Sequence, residues 1–414
     1  MRFPKVRLRE RLKELPGKLK AKLKGLPRKS VEFLKSRTGM VLIGTLICLA
    51  LMTGTAEDPR ATLLSILAEF SYFFIITLSL NLETGQTGIP QFGRVLAVIA
   101  GAFAVGAIPG RIMAWAMGLP CGFEYGDDVV NYKIVPRMTE VLEANPALSI
   151  AFLVFCLLIA AVAGAAIGWL TSRPAIRLRE AYLGISLLAF GDVMMWIGHN
   201  WEPLVGGSTG VFIPDPFRFT GEYRHVAAVL TMLGLAMVFF VALEFISRSP
   251  FGRTLRMHRD CELAAEVYGR DIVKVRTQSL VLGSAIAAMG GALYVIYVGS
   301  CKAISFDRAT WTFWPWAYMM LGGIGNNVGV LFGVLIFVMA RTFIMVRRYA
   351  LRPYVPFDPI WLDMFLGGLV LVLIVLFMPH GLVPERPRTT LPHDKIEAML
   401  KTIRERRAKE EKAE

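Results

Sequence analysis

The sequence predicts an all-α, polytopic membrane protein with about 8–10 transmembrane helices, some of them broken or re-entrant. Three observations carry that prediction. Several apolar runs approach the roughly 20 residues that cross about 30 Å of hydrocarbon. Of the 414 residues 55% are hydrophobic, and 38 glycines are spread among them. The ionisable residues gather at the two ends and in a few connecting loops. In a soluble chain the formal net charge of +14 would point to nucleic acid. Here it follows the bias of cytoplasmic segments toward Lys and Arg, so the lipid bilayer is the expected partner and nucleic acid is not.

Residues 1–37 hold fourteen Lys and Arg against three glutamates, with Leu8, Leu12, Leu15, Leu19, Leu23 and Leu26 three or four apart. That spacing puts the leucines on one helical face, and such a basic amphipathic helix lies on an anionic inner leaflet. A solvated arm interrupted by Pro16, Gly17 and Pro27 is the competing reading. The arm exceeds the charged region of a cleavable signal peptide, so the next apolar run is expected to be retained.

Apolar runs follow at 40–54, 61–82, 95–118, 147–170, 181–198, 225–246, 277–298, 309–321, 328–346 and 361–378. Those at 181–198 and 309–321 are short or interrupted, which predicts tilted, broken or re-entrant segments. Ten crossings place both termini on one side, and the dense positive charge before 38 and after 381 makes that side the cytoplasm. Loops 172–180 and 247–276 are basic and loop 120–146 is acid-rich, as alternation requires. Arg347, Arg348 and Arg352 disagree, because ten spans leave them outside. Either that region is a partly buried excursion or one of the two short runs does not cross.

The chain lacks the chemistry of an enzyme. His199, His225, His258, His380 and His393 lie in separate segments without metal-ligand spacing, and no catalytic constellation or metal site is expected. No G-x-x-x-x-G-K-[ST] occurs, so the chain has no phosphate-binding loop of its own. Among five cysteines, Cys48 and Cys156 sit in apolar runs and read as small core residues, and Cys261 shows no C-x-x-C partner. Cys121 and Cys301 both fall in outward loops, where a disulfide is chemically allowed. Glu69, Asp192 and Glu244 stand inside apolar runs, where a carboxylate signals a cavity or a partner; Glu244 lies near the end of its run, within reach of water.

Two stretches break the helical pattern. Gly85, Gly88 and Gly93, with Pro90 and Gln91 between them, interrupt a helix at membrane depth, where freed backbone groups must line a cavity or be covered by protein. Broken helices of this kind hold polar substrates in many transporters; glycines that let helices pack closely are the other reading. Gly206, Gly207 and Gly210, around Ser208 and Thr209, predict a flexible polar loop on the outer side. The basic, amphipathic segment from Phe251 to Arg276 has the size of a helix offered to a partner's groove.

Five runs, NLETGQTGIPQFGRVLAVIAGAF (81–103), LREAYLGISLLAFGDVMMWIGHNWEPLVGGSTGV (178–211), SPFGRTLRMHRDCELAAEVYGRDIVKVR (249–276), MMLGGIGNNVGVLFG (319–333) and MPHGLV (378–383), stand in the order found in a known family. From 81 to 383 the chain resembles the branched-chain amino-acid permease family of ABC importers, the LivM type. The charge and apolar runs divide the chain into a basic amphipathic cytoplasmic arm at 1–37, a transmembrane permease domain at 38–383 and a charged cytoplasmic tail at 384–414, and the arm and the tail lie outside the resemblance. The chain departs from the usual pattern at Gln91 and Arg94, where Ser and His are common, and at Asp192, where Glu is frequent. The resemblance implies a substrate pathway at Gly85, Gly88, Pro90, Gln91, Gly93 and Asp192, with an outer gate near Gly206, Gly207 and Gly210.

Loop 247–276 resembles the segment that couples such permeases to their ATPases, with Arg253, Glu262, Ala264, Ala265, Glu266 and Gly269 in the Ala-Ala-x-x-x-Gly region. The generic acid of that motif falls on Leu263 here. The expected partners are a second permease subunit, two ATPase subunits carrying ATP and Mg, and an extracytoplasmic substrate-binding protein in a prokaryotic cell membrane. Cargo is expected to be leucine, isoleucine or valine, with urea and short amides as relatives. An ion-coupled secondary transporter, with Glu69 and Asp192 in ion-coupling roles, is the competing class.

Overall fold

The computed structural model describes residues 37–54, 58–178, 180–347, 359–385 and 397–400. Residues 1–36 of the basic arm, Arg348 and Arg352 lie outside the described residues. The chain divides into Met1–Pro384 and a separate unit, Glu385–Glu414, of which 397–400 are helical. The first unit is a helical bundle, and among the described residues seven helices are long and apolar enough to cross a membrane.

Helix α1 (Arg37–Gly54) precedes α2 (Pro59–Leu80), which opens on Asp58, whose carboxylate caps the amides of Arg60 and Ala61, and on Pro59 in its first turn. Then come α3 (Arg94–Ala107), α4 (Pro109–Ala116), α5 (Asp128–Ala144), the long α6 (Pro146–Arg177) and α7 (Glu180–Asn200). After a two-residue strand, β1 (Val211–Phe212), follow α8 (Arg224–Arg248), the loop helices α9 (Pro250–Asp260) and α10 (Glu262–Val267), and α11 (Ile272–Val298). Strand β2 (Ser300–Cys301), α12 (Trp314–Gly322), α13 (Asn327–Val346) and α14 (Pro359–Phe377) complete it.

Helices α2, α3 and α11 form the centre, and glycine sets their distances. A Cβ at Gly291 would meet Val98 of α3, and Gly164 and Gly168 of α6 lie against the α11 backbone at Ser284 and Leu280. An aromatic cluster of Tyr72, Phe73, Tyr294, Phe306 and Trp311 fills the middle, with ring centroids 4.7–5.9 Å apart. At one end β1 pairs antiparallel with β2, Val211 opposite Cys301 and Phe212 opposite Ser300. At the other end lie α9 and α10. Helix α8 connects the two ends over 25 residues, about 37 Å at 1.5 Å per residue.

The fold differs from the sequence expectation at the run 181–198 and at the outer glycine loop, and it decides the state of Cys121 and Cys301. The run at 181–198 is neither short nor interrupted: α7 is continuous over 21 residues, because Gly184, Gly191 and Gly198 receive Phe92, Val95 and Phe103 instead of bending the helix. Cys121 and Cys301 are free thiols. Cys301 is buried beside the Ala102 carbonyl at 3.7 Å, and burial pushes its thiol up to about 12. The loop around Gly206, Gly207 and Gly210 is tightly folded. Gly206 N donates to Glu202 O and Gly210 N to Gly206 O, and a Cβ on Gly210 would strike the Cys301 carbonyl.

The run at 309–321 is short, as expected: a π-type turn (Ala309–Phe313) and the nine residues of α12. Together they still run from the ribbon end to the α9 end, and α13 returns antiparallel beside α12, with Gly322 against Gly329 and Gly333 against Tyr318. Arg347 therefore closes α13 at the end remote from α9.

Candidate functional site

Helix α2 does not simply stop. Asn81–Gln86 widens into a π-type turn, Gly88 takes φ 81°, and the helix resumes only at Arg94. The released backbone groups are paired within the protein: Gly88 N donates to Thr84 O (3.1 Å) and Ile89 N to Glu83 O (3.0 Å). Thr87 Oγ1 donates to Leu82 O (3.0 Å) and lies 2.7 Å from Ser279 Oγ.

A charge pair bridges the break. Glu83 Oε2 and Arg94 Nη2 are 2.5 Å apart with both side chains at 0% exposure, and Arg94 Nη1 donates to Gly283 O at 3.3 Å. Gly283 must be glycine in this packing, since a Cβ there would collide with the Glu83 carboxylate. Gln91 Oε1 accepts from Gly93 N (3.2 Å), and Trp316 Nε1 donates to Gln91 O (3.0 Å) while its ring stacks on Phe92 at 4.6 Å.

A second break separates α12 from α13. Gly323 and Gly325 take φ 121° and 82°, and Asn326 caps α13 by accepting from Val328 N at 3.0 Å. The two breaks share hydrogen bonds. Asn81 Nδ2 donates to Asn327 Oδ1 (2.9 Å), Gly325 N donates to Asn81 Oδ1 (2.8 Å), and Asn327 Nδ2 donates to Glu244 Oε2 (3.1 Å). Glu244 is thus tied into this network as well as to Arg248 at 2.8 Å. The run 378–383 seals the second break: Leu382 N and Val383 N donate to the orphan carbonyls of Leu321 (2.8 Å) and Gly322 (2.9 Å) at the end of α12.

The basic loop grips the first break directly. Helix α9 places His258 Nδ1 3.2 Å from Thr87 O, and Arg259 Nη1 donates to Gly85 O at 2.6 Å. A carbonyl only accepts, so Nδ1 carries the proton. Burial holds the His258 imidazole below its ordinary 6.5, reinforced by the Arg276 cation and opposed by the Thr87 carbonyl and Glu262. Gly88 leaves room for Arg259, whose Cγ a Cβ would meet at 2.9 Å.

Beyond α9, Glu262 pairs with Arg276 and Ala265 packs into its own chain rather than offering a small surface outward. Gly269 turns the chain at φ 72°. Arg253, Glu266, Leu263, Val267 and Tyr268 are exposed, and Ala264 is half-buried.

The structure thus gathers Gly85, Gly88, Pro90, Gln91 and Gly93 at one locus with the loop helix against it. Asp192 does not join them; it pairs with Arg308 at 3.4 Å. Gly206, Gly207 and Gly210 sit at the ribbon end. Sequence reading missed Glu83, Asn81 and Asn327, and passed over Arg94 as a departure. The available signal was local: opposite charges eleven residues apart flanking a glycine–proline interruption in an apolar stretch.

All five runs on which the family resemblance rests meet around these two breaks. The family described as the permease component of branched-chain amino acid transport systems matches residues 62–375. The chain belongs to this family. Among its curated relatives, "Probable branched-chain amino acid transport permease protein LivM" of Methanocaldococcus jannaschii is 36% identical over 333 residues, 80% of this chain and 95% of that protein. The high-affinity branched-chain amino acid transport system permease protein LivM of Salmonella typhimurium is 27% identical over 262 residues, 57% of this chain and 59% of that protein. The LivH permease protein of the same system in Escherichia coli is 26% identical over 235 residues, 54% of this chain and 72% of that protein. No solved structure matches the chain. A transport permease component accords with the multi-pass bundle.

Proposed function

We propose that this chain is the transmembrane permease subunit of a binding-protein-dependent ABC importer for branched-chain amino acids. The observation that carries the reading is the contact of α9 with the broken helix, Arg259 to the Gly85 carbonyl and His258 to the Thr87 carbonyl, in a chain of this family. A loop that touches the interruption can change its shape when pulled, and the exposed Leu263 and Val267 on α10, with Tyr268 just after it, offer the surface on which a partner would pull.

In this reading two separate ATPase subunits, which hold ATP and Mg, dock on α10, and a second permease of the same superfamily completes the pathway. A substrate-binding protein delivers cargo at the ribbon end. The chain sits in a prokaryotic cell membrane with both termini in the cytoplasm. When α9 moves, the Glu83–Arg94 bridge and the Asn81–Asn327 link are the contacts that must rearrange for the break to open.

The test is reconstitution in vesicles with the two ATPases, the second permease and the binding protein. The expected outcome is ATP-dependent accumulation of leucine, isoleucine and valine, with urea and acetamide left behind. Accumulation against a gradient by this chain alone, driven by Na⁺ or protons, would overturn the reading.

A further inference from the structure

A cavity of about 370 Å³ lies between the first turns of α2 and the last turns of α13, lined by Ala61, Thr62, Ser65, Glu69, Arg341, Thr342, Met345 and Val346. Its volume falls at the low end of the range that takes small ligands. The Glu69 and Arg341 side chains face each other on it at 2.8 Å and are 22% and 16% exposed. They differ in this from the Glu83–Arg94 pair, which is sealed at 0%. The Arg341 guanidinium is held from behind, over the ring of Trp314 at 4.9 Å and that of Phe73 at 5.8 Å, with Nη1 3.4 Å from the Tyr318 hydroxyl.

We infer that this cavity is a subsite for a zwitterionic amino acid with an apolar side chain. The inference rests on the importer reading and names a resting place along its pathway. An ionisable pair within membrane-spanning helices is costly, and such groups characteristically mark a substrate route. The pair here is also the complement of a zwitterion: a carboxylate to take an α-ammonium, a rigid planar guanidinium to take an α-carboxylate in a forked contact. With no ligand present the two neutralise each other. On entry the amino acid replaces one charge contact by two of the same kind, so neither protein charge is left bare. Ala61, Met345 and Val346 supply an apolar floor for the side chain, and the hydroxyls of Thr62, Ser65 and Thr342 line the rest. Glu69 lies twelve residues before Asn81 on one helix, about 18 Å from the break.

The experiment uses the full chain carrying Ser65→Cys, in phosphatidylglycerol vesicles with its partner subunits. Maleimide modification at position 65 is read by mass spectrometry. Leucine is expected to slow modification severalfold, whereas 4-methylpentanoate, which lacks the ammonium, and 3-methylbutylamine, which lacks the carboxylate, are not. Adding Glu69→Gln should abolish the protection, while Arg341→Lys, which keeps the charge and spares folding, should retain part of it.

Modification indifferent to leucine, or protection that survives Glu69→Gln, overturns the inference. A zwitterionic lipid headgroup carries the same two charges, so slowing by phosphatidylethanolamine alone, with no further effect of leucine, also overturns it. Uptake is measured in the same vesicles. ATP-driven leucine uptake without protection sinks the subsite and leaves the importer standing; protection without uptake keeps the subsite and sinks the importer.

Discussion

Glu83 and Arg94 show how much one buried pair controls. Neither side chain meets solvent, so Glu83→Gln leaves a guanidinium uncompensated in the interior. We expect a loss of about 3–5 kcal/mol, read as the unfolding free energy of the purified chain in detergent. Replacing both, Glu83→Leu with Arg94→Met, should recover most of that stability while transport stays impaired. His258 makes a second residue-level case. Its folded pKa lies below the ordinary 6.5, so the unfolded chain takes up the proton first. Stability is therefore complete above 6.5 and is lost as pH falls through that value toward the folded one. Melting temperature should drop between about pH 7 and pH 5 in the wild type. In His258→Asn, whose side-chain amide still donates to Thr87, that drop should shrink; an equal drop in both proteins would exclude His258 as its source.

Among the elements, the two interrupted helices behave as one unit because Asn81 bonds both Asn327 and the Gly325 amide. A double-mutant cycle with Asn81→Ala and Asn327→Ala should give a coupling of roughly 0.5–3 kcal/mol in unfolding free energy, and simple additivity would refute the link. Most elements were legible in the sequence, since membrane-length apolar runs mark helices whatever packs on them. The run at 181–198 misled, and it contains Gly184, Gly191 and Gly198. In the fold those glycines receive Phe92, Val95 and Phe103, partners that spacing within the run cannot reveal. The site was half legible. Gly85, Gly88 and Gly93 announce a break by their own chemistry, and Gly269 announces a turn. The grip of His258 and Arg259 on that break spans 171 and 174 residues, and no local pattern encodes a contact of that reach.

For the whole molecule, the importer reading proposed above predicts that force entering at α10 is delivered through α9. Arg259→Ala removes a charge-assisted hydrogen bond, a class of interaction contributing about 1.5–3 kcal/mol. Uptake by the assembled importer should fall about tenfold or more while ATP hydrolysis continues, so the ratio of cargo moved to ATP consumed is the diagnostic; parallel loss of both would point to failed assembly instead. Gly269→Trp, at a position with φ 72°, should leave the chain in the membrane and weaken co-purification with the ATPases. At the far end, the ribbon is held by main-chain pairing, with Val211 opposite Cys301 and Phe212 opposite Ser300, and Ile213 N donates to Gly299 O at 3.0 Å. Peptide amides are indifferent to the side chains they carry. Exposed positions along that rim, such as Phe212 and Ile304, can therefore be rewritten without unfastening the clasp, and if the proposed delivery protein docks there, this end is the place to build chimeras with altered cargo.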